Sequence, residues 1–137
     1  MATLRDVGTL ALALPEVAKG EDAEGRPSYS VNGKVICWHR SPRPDALDPK
    51  TGERLTNVFV FRTTDLDVKE MTLQDDRGIF FTTPHWNGYP AVLIRIRDLK
   101  HLKRAELRDL VEEAWLSRAP KRVAKAWLAA QGHEDSA

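Results

Sequence analysis

A β-hairpin is predicted by residues 29–39, which have the sequence YSVNGKVICWH. The Asn-Gly pair at its centre tolerates the positive φ angles of a two-residue type I′ turn, and the flanking residues favour strands. With that turn, Val31 pairs with Lys34 and Tyr29 pairs with Ile36. Because side chains alternate along a strand, the face expected to pack on the core carries Tyr29, Val31, Ile36 and Trp38. The opposite face carries Ser28, Ser30, Val35, Cys37 and His39.

Three further strands are predicted downstream of the hairpin. They are residues 57–62, which are rich in Val and Phe, residues 79–82, and residues 91–97. In the last of these, apolar side chains at every second position are expected to face the core, while Arg95 and Arg97 face outward. Such alternation is typical of an antiparallel sheet with one solvated face.

Between the strands, two segments are predicted to be loops and one a short helix. Residues 19–26 contain two glycines and several acidic residues, and residues 40–56 contain three prolines and a glycine. Glycine and proline interrupt regular structure, so both segments are expected to be loops, the second one long and mobile. Thr64 is expected to cap the short helix.

Helices are also predicted near both ends of the chain. Thr3 is expected to cap the first one, with Asp6 at the third helical position, and Pro15 ends its apolar spacing. The apolar spacing of residues 107–115 predicts a longer helix, and Pro120 can open another one after a break.

The predicted fold is therefore a single α+β domain, in which an antiparallel β-sheet packs against an N-terminal helix and C-terminal helices. A chain of 137 residues has about the size of one domain. We assign residues 1–131 to this domain and expect residues 132–137 to form a flexible tail.

The composition favours a soluble intracellular protein. Hydrophobic residues make up 42% of the chain and charged residues 30%, which is typical of globular proteins. The single cysteine, Cys37, cannot form an internal disulfide, and the first residues lack the features of a signal peptide. No uncharged apolar run approaches the length needed to span a bilayer. We therefore expect a cytoplasmic protein without a membrane segment.

The order of these elements resembles the MmcQ/YjbR family, whose members are small α+β proteins with a CyaY-like architecture. The resemblance runs over nearly the whole chain, and the segments that carry it are Leu14-Pro15, VNGK at 31–34, TPHW at 83–86, the strand at 91–96, Ala114-Trp115 and Ala119-Pro120. Members of that family are described as DNA-binding proteins with a double-wing arrangement. The resemblance therefore implies contact with DNA.

The basic part of the sequence is its C-terminal third. Residues 95–125 contain ten Lys and Arg against five Asp and Glu, although the net charge of the chain is only +1. Clustered cations bind phosphates with release of counterions. Weak, salt-dependent binding of DNA is thus predicted for Arg95, Arg97, Arg118, Lys121, Arg122 and Lys125. The alternative is an ordinary solvated surface of mixed charge.

A second candidate site is the aromatic segment between the last two strands, TTPHWNGYP at residues 82–90. Loops fixed by a rigid sheet often carry function, and aromatic rings beside hydrogen-bonding groups suit a flat ligand. The predicted ligand-binding residues are Trp38, His85, Trp86, Asn87 and Tyr89. The alternative is a turn whose aromatic side chains cap the core.

No catalytic residue, metal site or cofactor is predicted. The four histidines lack metal-ligand spacing, and one cysteine cannot build a structural zinc site. Cys37 lies near His39 and Ser30 in sequence, but no orienting carboxylate accompanies them. We therefore expect a non-catalytic binding protein, with DNA as the first ligand class and a small molecule or a protein partner as the second.

Overall fold

The computed structural model describes residues 2–41, 47, 48 and 51–136, and for residues 132–136 it describes the backbone only. The strands are β1 (Val17–Glu21), β2 (Pro27–Val31), β3 (Lys34–Arg40), β4 (Val58–Arg62), β5 (Phe80–Phe81) and β6 (Ala91–Arg95). The α-helices are α1 (Leu4–Leu12), α2 (Leu66–Leu73), α3 (Arg104–Leu116) and α4 (Lys121–Ser136). Two 3-10 helices, Pro84–Trp86 and Ile96–His101, flank β6.

The strands form one sheet in the order β1-β2-β3-β4-β6-β5, and every neighbouring pair is antiparallel. The predicted α+β fold is thereby confirmed. The loop predicted at residues 19–26 is wrong in its first half, because β1 occupies Val17–Glu21 and pairs with β2. Four of the five β1 residues are exposed. An edge strand of this kind needs no apolar alternation, and the sequence therefore gave no signal for it.

A β-bulge changes the register of the predicted hairpin. Val31 pairs with Lys34 as expected, and both turn residues between them have positive φ. Tyr29, however, pairs with Cys37 rather than with Ile36. The shift leaves Ile36 as an extra residue on β3, which is the definition of a bulge.

The bulge exchanges the faces on which Cys37 and Trp38 lie. Cys37 is fully buried in the main core, although it was expected to point away from it. Trp38 lies on the opposite face of the sheet, although it was expected in the core. The extra residue of a bulge reverses the alternation of side chains after it. A register predicted without the bulge therefore places every later residue of the strand on the wrong face.

The main core lies between one face of the sheet and helices α1, α3 and α4. Its largest fully buried side chain is Trp115 of α3. The indole Nε1 of Trp115 donates to the carbonyl of Pro15 at 2.9 Å, and its ring meets Trp127 of α4 edge-on at 5.3 Å. Trp115 thus connects both C-terminal helices to the chain that follows α1.

The other face of the sheet, called the open face below, carries a smaller apolar cluster. Strand pairing places Trp38, Val60 and Leu93 in one row across this face. The adjacent row begins with Arg40 and ends with Arg95. The buried members of the cluster are Leu55, Val58, Val60, Ala91 and Leu93, and the partly buried ones are Trp38, Phe81, Trp86 and Tyr89.

The last strand ends earlier than predicted. β6 stops at Arg95, and Arg97 lies in the following 3-10 helix, so these two arginines do not share a strand face. Of the loop predicted at residues 40–56, Arg40 belongs to β3, and Leu47 forms an isolated bridge with Arg54. Residues 42–46, 49 and 50 of that loop lie outside the described residues.

The helix caps match the predictions with one correction. The Thr3 side chain accepts from the amide of Asp6, and the Asp6 carboxylate accepts from the amide of Thr3 at 2.9 Å. At α2 the cap is Asp65 rather than Thr64, because the helix begins one residue later. α4 begins directly after Pro120, as expected, and its backbone includes residues 132–136. The domain end at residue 131 and the flexible tail stay predictions.

Replacing Gly8 of α1 with Ala is expected to destabilise the protein despite the higher helix propensity of Ala. A Cβ at Gly8 would lie 2.6 Å from the hydroxyl oxygen of Tyr29, whose ring is buried. Overpacking of this kind costs about 1–3 kcal/mol, against about 1 kcal/mol gained in propensity. Urea denaturation of Gly8→Ala, Tyr29→Phe and the double variant measures the effect. Tyr29→Phe should relieve it, and a Gly8→Ala variant more stable than the parent would contradict the contact.

Candidate functional site

The best-defined site on the open face is a cleft between β3 and the loop that connects β5 to β6. Its aromatic walls come from Trp38 of β3 and from His85 and Trp86 of the 3-10 helix. We call it the aromatic cleft. Its volume is about 440 Å³, within the range of small-molecule sites. The remaining lining residues are Glu21, Asp22, Arg26, Pro27, Ser28, Val35, His39, Arg40 and Ser41.

Trp86 lies at the centre of a group of rings. Its ring centroid is 5.9 Å from Trp38, 5.8 Å from His85 and 5.4 Å from Tyr89, and the last two contacts are edge-on. These separations and angles are those that aromatic pairs prefer. The rings of four of the five predicted ligand residues are therefore brought together. Tyr89 contacts Trp86 but does not line the cleft, and Asn87 is exposed and does not line it either.

The loop that carries Trp86 is fixed from below by the buried lysine of α2. Lys69 is only 5% exposed, and its Nζ donates to the carbonyl oxygens of Trp86 at 2.6 Å and Tyr89 at 2.7 Å. Burial lowers the pKa of Lys69. Burying an ammonium group costs free energy, and its hydrogen bonds to the two carbonyl oxygens offset part of that cost. The same two hydrogen bonds hold the loop in one position.

Two buried arginines fix the rings from the side. The guanidinium of Arg40 lies 5.2 Å from the centroid of Trp86, and that of Arg62 lies 5.0 Å from the centroid of Tyr89. Arg62 also donates to the Tyr89 hydroxyl at 2.7 Å and to the Ser117 hydroxyl at 3.2 Å. The aromatic walls are therefore held in one arrangement by cation–π contacts and hydrogen bonds.

The charges around the aromatic cleft nearly cancel. The guanidinium of Arg26 donates to the carboxylate of Asp22 at 2.9 Å, and this contact raises the pKa of Arg26. The pKa of Asp22 is lowered first by the backbone amide of Arg26, which also donates to the carboxylate, and next by the guanidinium. Glu21 and Arg40 add one further charge of each sign. The cleft consequently has no strong preference for a cation or an anion.

Acidification below pH 6.5 is expected to destabilise the protein through His39. Burial, and next the charge of Arg26, lower the pKa of this imidazole from its ordinary value of 6.5. The unfolded chain therefore takes up a proton at higher pH than the folded one, and stability falls as the pH drops from 6.5 toward the lower folded pKa. Urea midpoints at pH 7.5 and 5.5 measure the effect. The difference between the two midpoints should be smaller in His39→Gln. A difference as large as that of the parent protein would show that His39 does not cause it.

The six cations predicted to bind DNA do not form one patch. Arg95 lies on the open face, where it pairs with Asp48 and stacks on Phe81 at 5.2 Å. The apolar side of α4 packs on the opposite face of the sheet. Strand and helix cations are thus separated by the sheet, and the single surface on which the prediction depended is not present.

The cations of α4 remain available. Lys121, Arg122 and Lys125 are exposed, and none forms an ion pair with a carboxylate among the described residues. Arg118, just before the helix, is half-buried. DNA binding by these residues stays a prediction.

The only cysteine of the sequence, Cys37, lies in the main core. Burial raises the pKa of the Cys37 thiol far above its ordinary value, so the reactive thiolate is disfavoured. Within the described ranges, no three His, Cys, Asp or Glu side chains are grouped to hold a metal ion. No described helix has the length and apolar character needed to cross a bilayer.

Comparison with known proteins assigns the chain to a family. The model of the YjbR family matches residues 12–117, which include the whole sheet and α3. The chain belongs to the YjbR family. It is 35% identical over 140 residues to the uncharacterized proteins Rv2570 of Mycobacterium tuberculosis and Mb2600 of Mycobacterium bovis, with 96% of this chain and 100% of each relative covered. No solved structure matches it.

In this YjbR-family chain, the residues that sequence reasoning missed are those that position the cleft. Lys69 binds carbonyls 17 and 20 positions away, and Arg62 reaches a hydroxyl 55 positions away. No local pattern marks such contacts. A lysine in a short helix gave no sign that it would be buried.

Proposed function

We propose that this YjbR-family domain is a non-catalytic binding module whose ligand, a small molecule with a flat ring, occupies the aromatic cleft. The observation that carries the proposal is the meeting of Trp38 with His85 and Trp86, which come from distant parts of the chain, around one ligand-sized cleft. The loop is fixed by Lys69 before any ligand binds, and such preorganisation lowers the entropy cost of binding.

One lining residue supports a ligand with hydrogen-bonding groups. The indole Nε1 of Trp86 is buried and has no hydrogen-bond partner among the described residues. A buried polar atom without a partner costs about 1–3 kcal/mol. A polar edge on the ligand can satisfy such atoms, which favours a heterocycle over a hydrocarbon ring.

The charge balance of the cleft also limits the class of ligand that it can bind. Asp22 and Arg26 neutralise each other, and the remaining lining charges are of opposite sign. A strongly charged ligand would lose its hydration without gaining a matched counter-charge. The proposed ligand is therefore an uncharged or zwitterionic heterocyclic compound.

A thermal-shift screen tests this function. Ring-containing metabolites are compared with acyclic metabolites of similar polarity, because a ligand specific for the folded state raises the melting temperature. Heterocycles should stabilise the protein and lose this effect in Trp86→Ala, whereas Met71→Ala, an exposed change outside the cleft, should retain it. Equal responses to both compound classes, or hits that stabilise Trp86→Ala as well, would reject the proposal.

Weak binding of DNA by α4 is a second candidate. It is supported by Lys121, Arg122 and Lys125, which are exposed at the start of one helix. Fluorescence anisotropy with generic duplex and single-stranded DNA at low salt is the test. Binding should weaken steeply with salt and in Lys121→Glu/Lys125→Glu, and an unchanged signal at micromolar protein would remove this candidate.

The absence of catalysis and the cytoplasmic location are parts of the proposal. A thiol buried as completely as that of Cys37 is unsuited to attack a substrate. A single cysteine without a disulfide partner in the chain suits a reducing compartment. Fractionation of cells that express the tagged protein tests the location.

A further inference from the structure

A second, smaller pocket lies at the end of the open face. It has a volume of about 170 Å³, which is room for about six water molecules at roughly 30 Å³ each. That is too small for most organic ligands and large enough for a tetrahedral ion. Its lining residues are Glu53, Arg54, Leu55, Thr56, Asn57, Val58, Arg95 and Arg97.

Three arginines from two segments converge on this pocket. Arg54 lies in the chain before β4, Arg95 ends β6, and Arg97 lies in the 3-10 helix that follows. Arg54 and Arg97 form no ion pair with a carboxylate in the part of the chain that the structure describes. Their guanidinium groups are free to bind an oxyanion in the bidentate manner that arginine favours.

Two contacts hold the side chain of Arg95 in place beside the pocket. Asp48 pairs with its guanidinium from one side, and the Phe81 ring lies 5.2 Å from it. Counting Asp48 and Glu53 against the three arginines leaves one net positive charge. The amide of Asn57 and the hydroxyl of Thr56 add neutral hydrogen-bonding groups to the lining.

We propose that Arg54, Arg95 and Arg97 form a binding pocket for a single phosphate group. This site is separate from the aromatic cleft and does not depend on the proposed function. Arg40, which lines the cleft, and Arg95 begin and end one row of the sheet, two strand spacings or roughly 10 Å apart. The phosphate can belong to a free ion, to a nucleotide or to a nucleic-acid backbone, and the test separates these sources.

The test is a titration of the ¹⁵N-labelled protein followed by NMR, which resolves backbone amides and arginine Nε–H groups. Inorganic phosphate, adenosine 5′-monophosphate and a short single-stranded oligonucleotide are added separately, with sodium chloride keeping the ionic strength constant. Saturable shifts of Asn57 and Arg97 are expected with inorganic phosphate. A stronger response to the nucleotide or the oligonucleotide would identify the natural source of the phosphate.

Matched variants make the outcome decisive. Arg97→Gln should weaken phosphate binding about tenfold or more, which is about 1.4 kcal/mol. Arg108→Gln, an exposed change on α3 outside the pocket, should bind as the parent does. Trp86→Ala should also retain phosphate binding, so failure of the aromatic cleft would not affect this result. Shifts no larger than those that sodium chloride alone causes would overturn the proposal. Shifts in Arg97→Gln and Arg54→Gln as large as those of the parent protein would also overturn it.

Discussion

Replacing Trp115 with Ala is expected to lower the free energy of unfolding by about 3–5 kcal/mol, the range for deleting a large aromatic side chain from a core. Trp115 is the largest fully buried side chain among the residues that the structure describes. The change also removes the donor to the Pro15 carbonyl and the edge-on contact with Trp127. Because the whole free energy of unfolding of such a domain is only about 5–15 kcal/mol, a large unfolded population is expected on mild heating.

Trp115→Phe separates packing from hydrogen bonding. Phe fills much of the cavity but leaves the Pro15 carbonyl without its donor, so a smaller loss of about 1–3 kcal/mol is expected. Leu128→Ala is the control, because Leu128 is 49% exposed on α4. Urea denaturation measures all three. A Trp115→Ala variant as stable as Leu128→Ala would show that α3 is not packed as described.

Replacing Lys69 with Met is expected to loosen the aromatic loop and to weaken ligand binding in the cleft about tenfold or more, or about 1.4 kcal/mol. Met matches the aliphatic stem of Lys but cannot donate to the carbonyls of Trp86 and Tyr89. Removing a buried ammonium offsets part of the lost hydrogen bonding. The effect on global stability should therefore be smaller than that of Trp115→Ala.

Hydrogen exchange measures this loosening directly. Backbone amides of residues 85–89 should exchange faster in Lys69→Met, while those of β3 and β4 should keep their protection. Lys100→Met is the matched control, because Lys100 is exposed in the 3-10 helix that follows β6. Equal protection of the loop in the parent and in Lys69→Met would contradict the role assigned to Lys69.

The fold was predictable where local chemistry decides it. The Asn-Gly turn specified the hairpin, and the side chains of Thr3 and Asp6 specified the start of α1. The face of Trp38 was not predictable, since the bulge at Ile36 leaves no mark in the alternation of residues. The consequence is functional, because the bulge turns Trp38 out of the core and into the cleft.

The candidate site was predictable in its aromatic residues but not in their supports. A short loop rich in rings is visible in the sequence, whereas the contacts of Lys69 and Arg62 depend on the folding of distant segments together. The spatial distribution of the basic stretch was not predictable for a related reason. Counting charges along the sequence ignores the sheet that separates Arg95 from α4.

The central claim is that the aromatic cleft binds a flat ring, and the four tryptophans of the chain allow a direct measurement. Labelling with 5-fluorotryptophan gives one ¹⁹F NMR signal for each of Trp38, Trp86, Trp115 and Trp127. When the heterocyclic hits of the thermal screen are added, we expect saturable shifts of the Trp38 and Trp86 signals while the two signals of the helical core stay in place. Signals of the cleft pair that do not move, or movement confined to the core pair, would contradict the account.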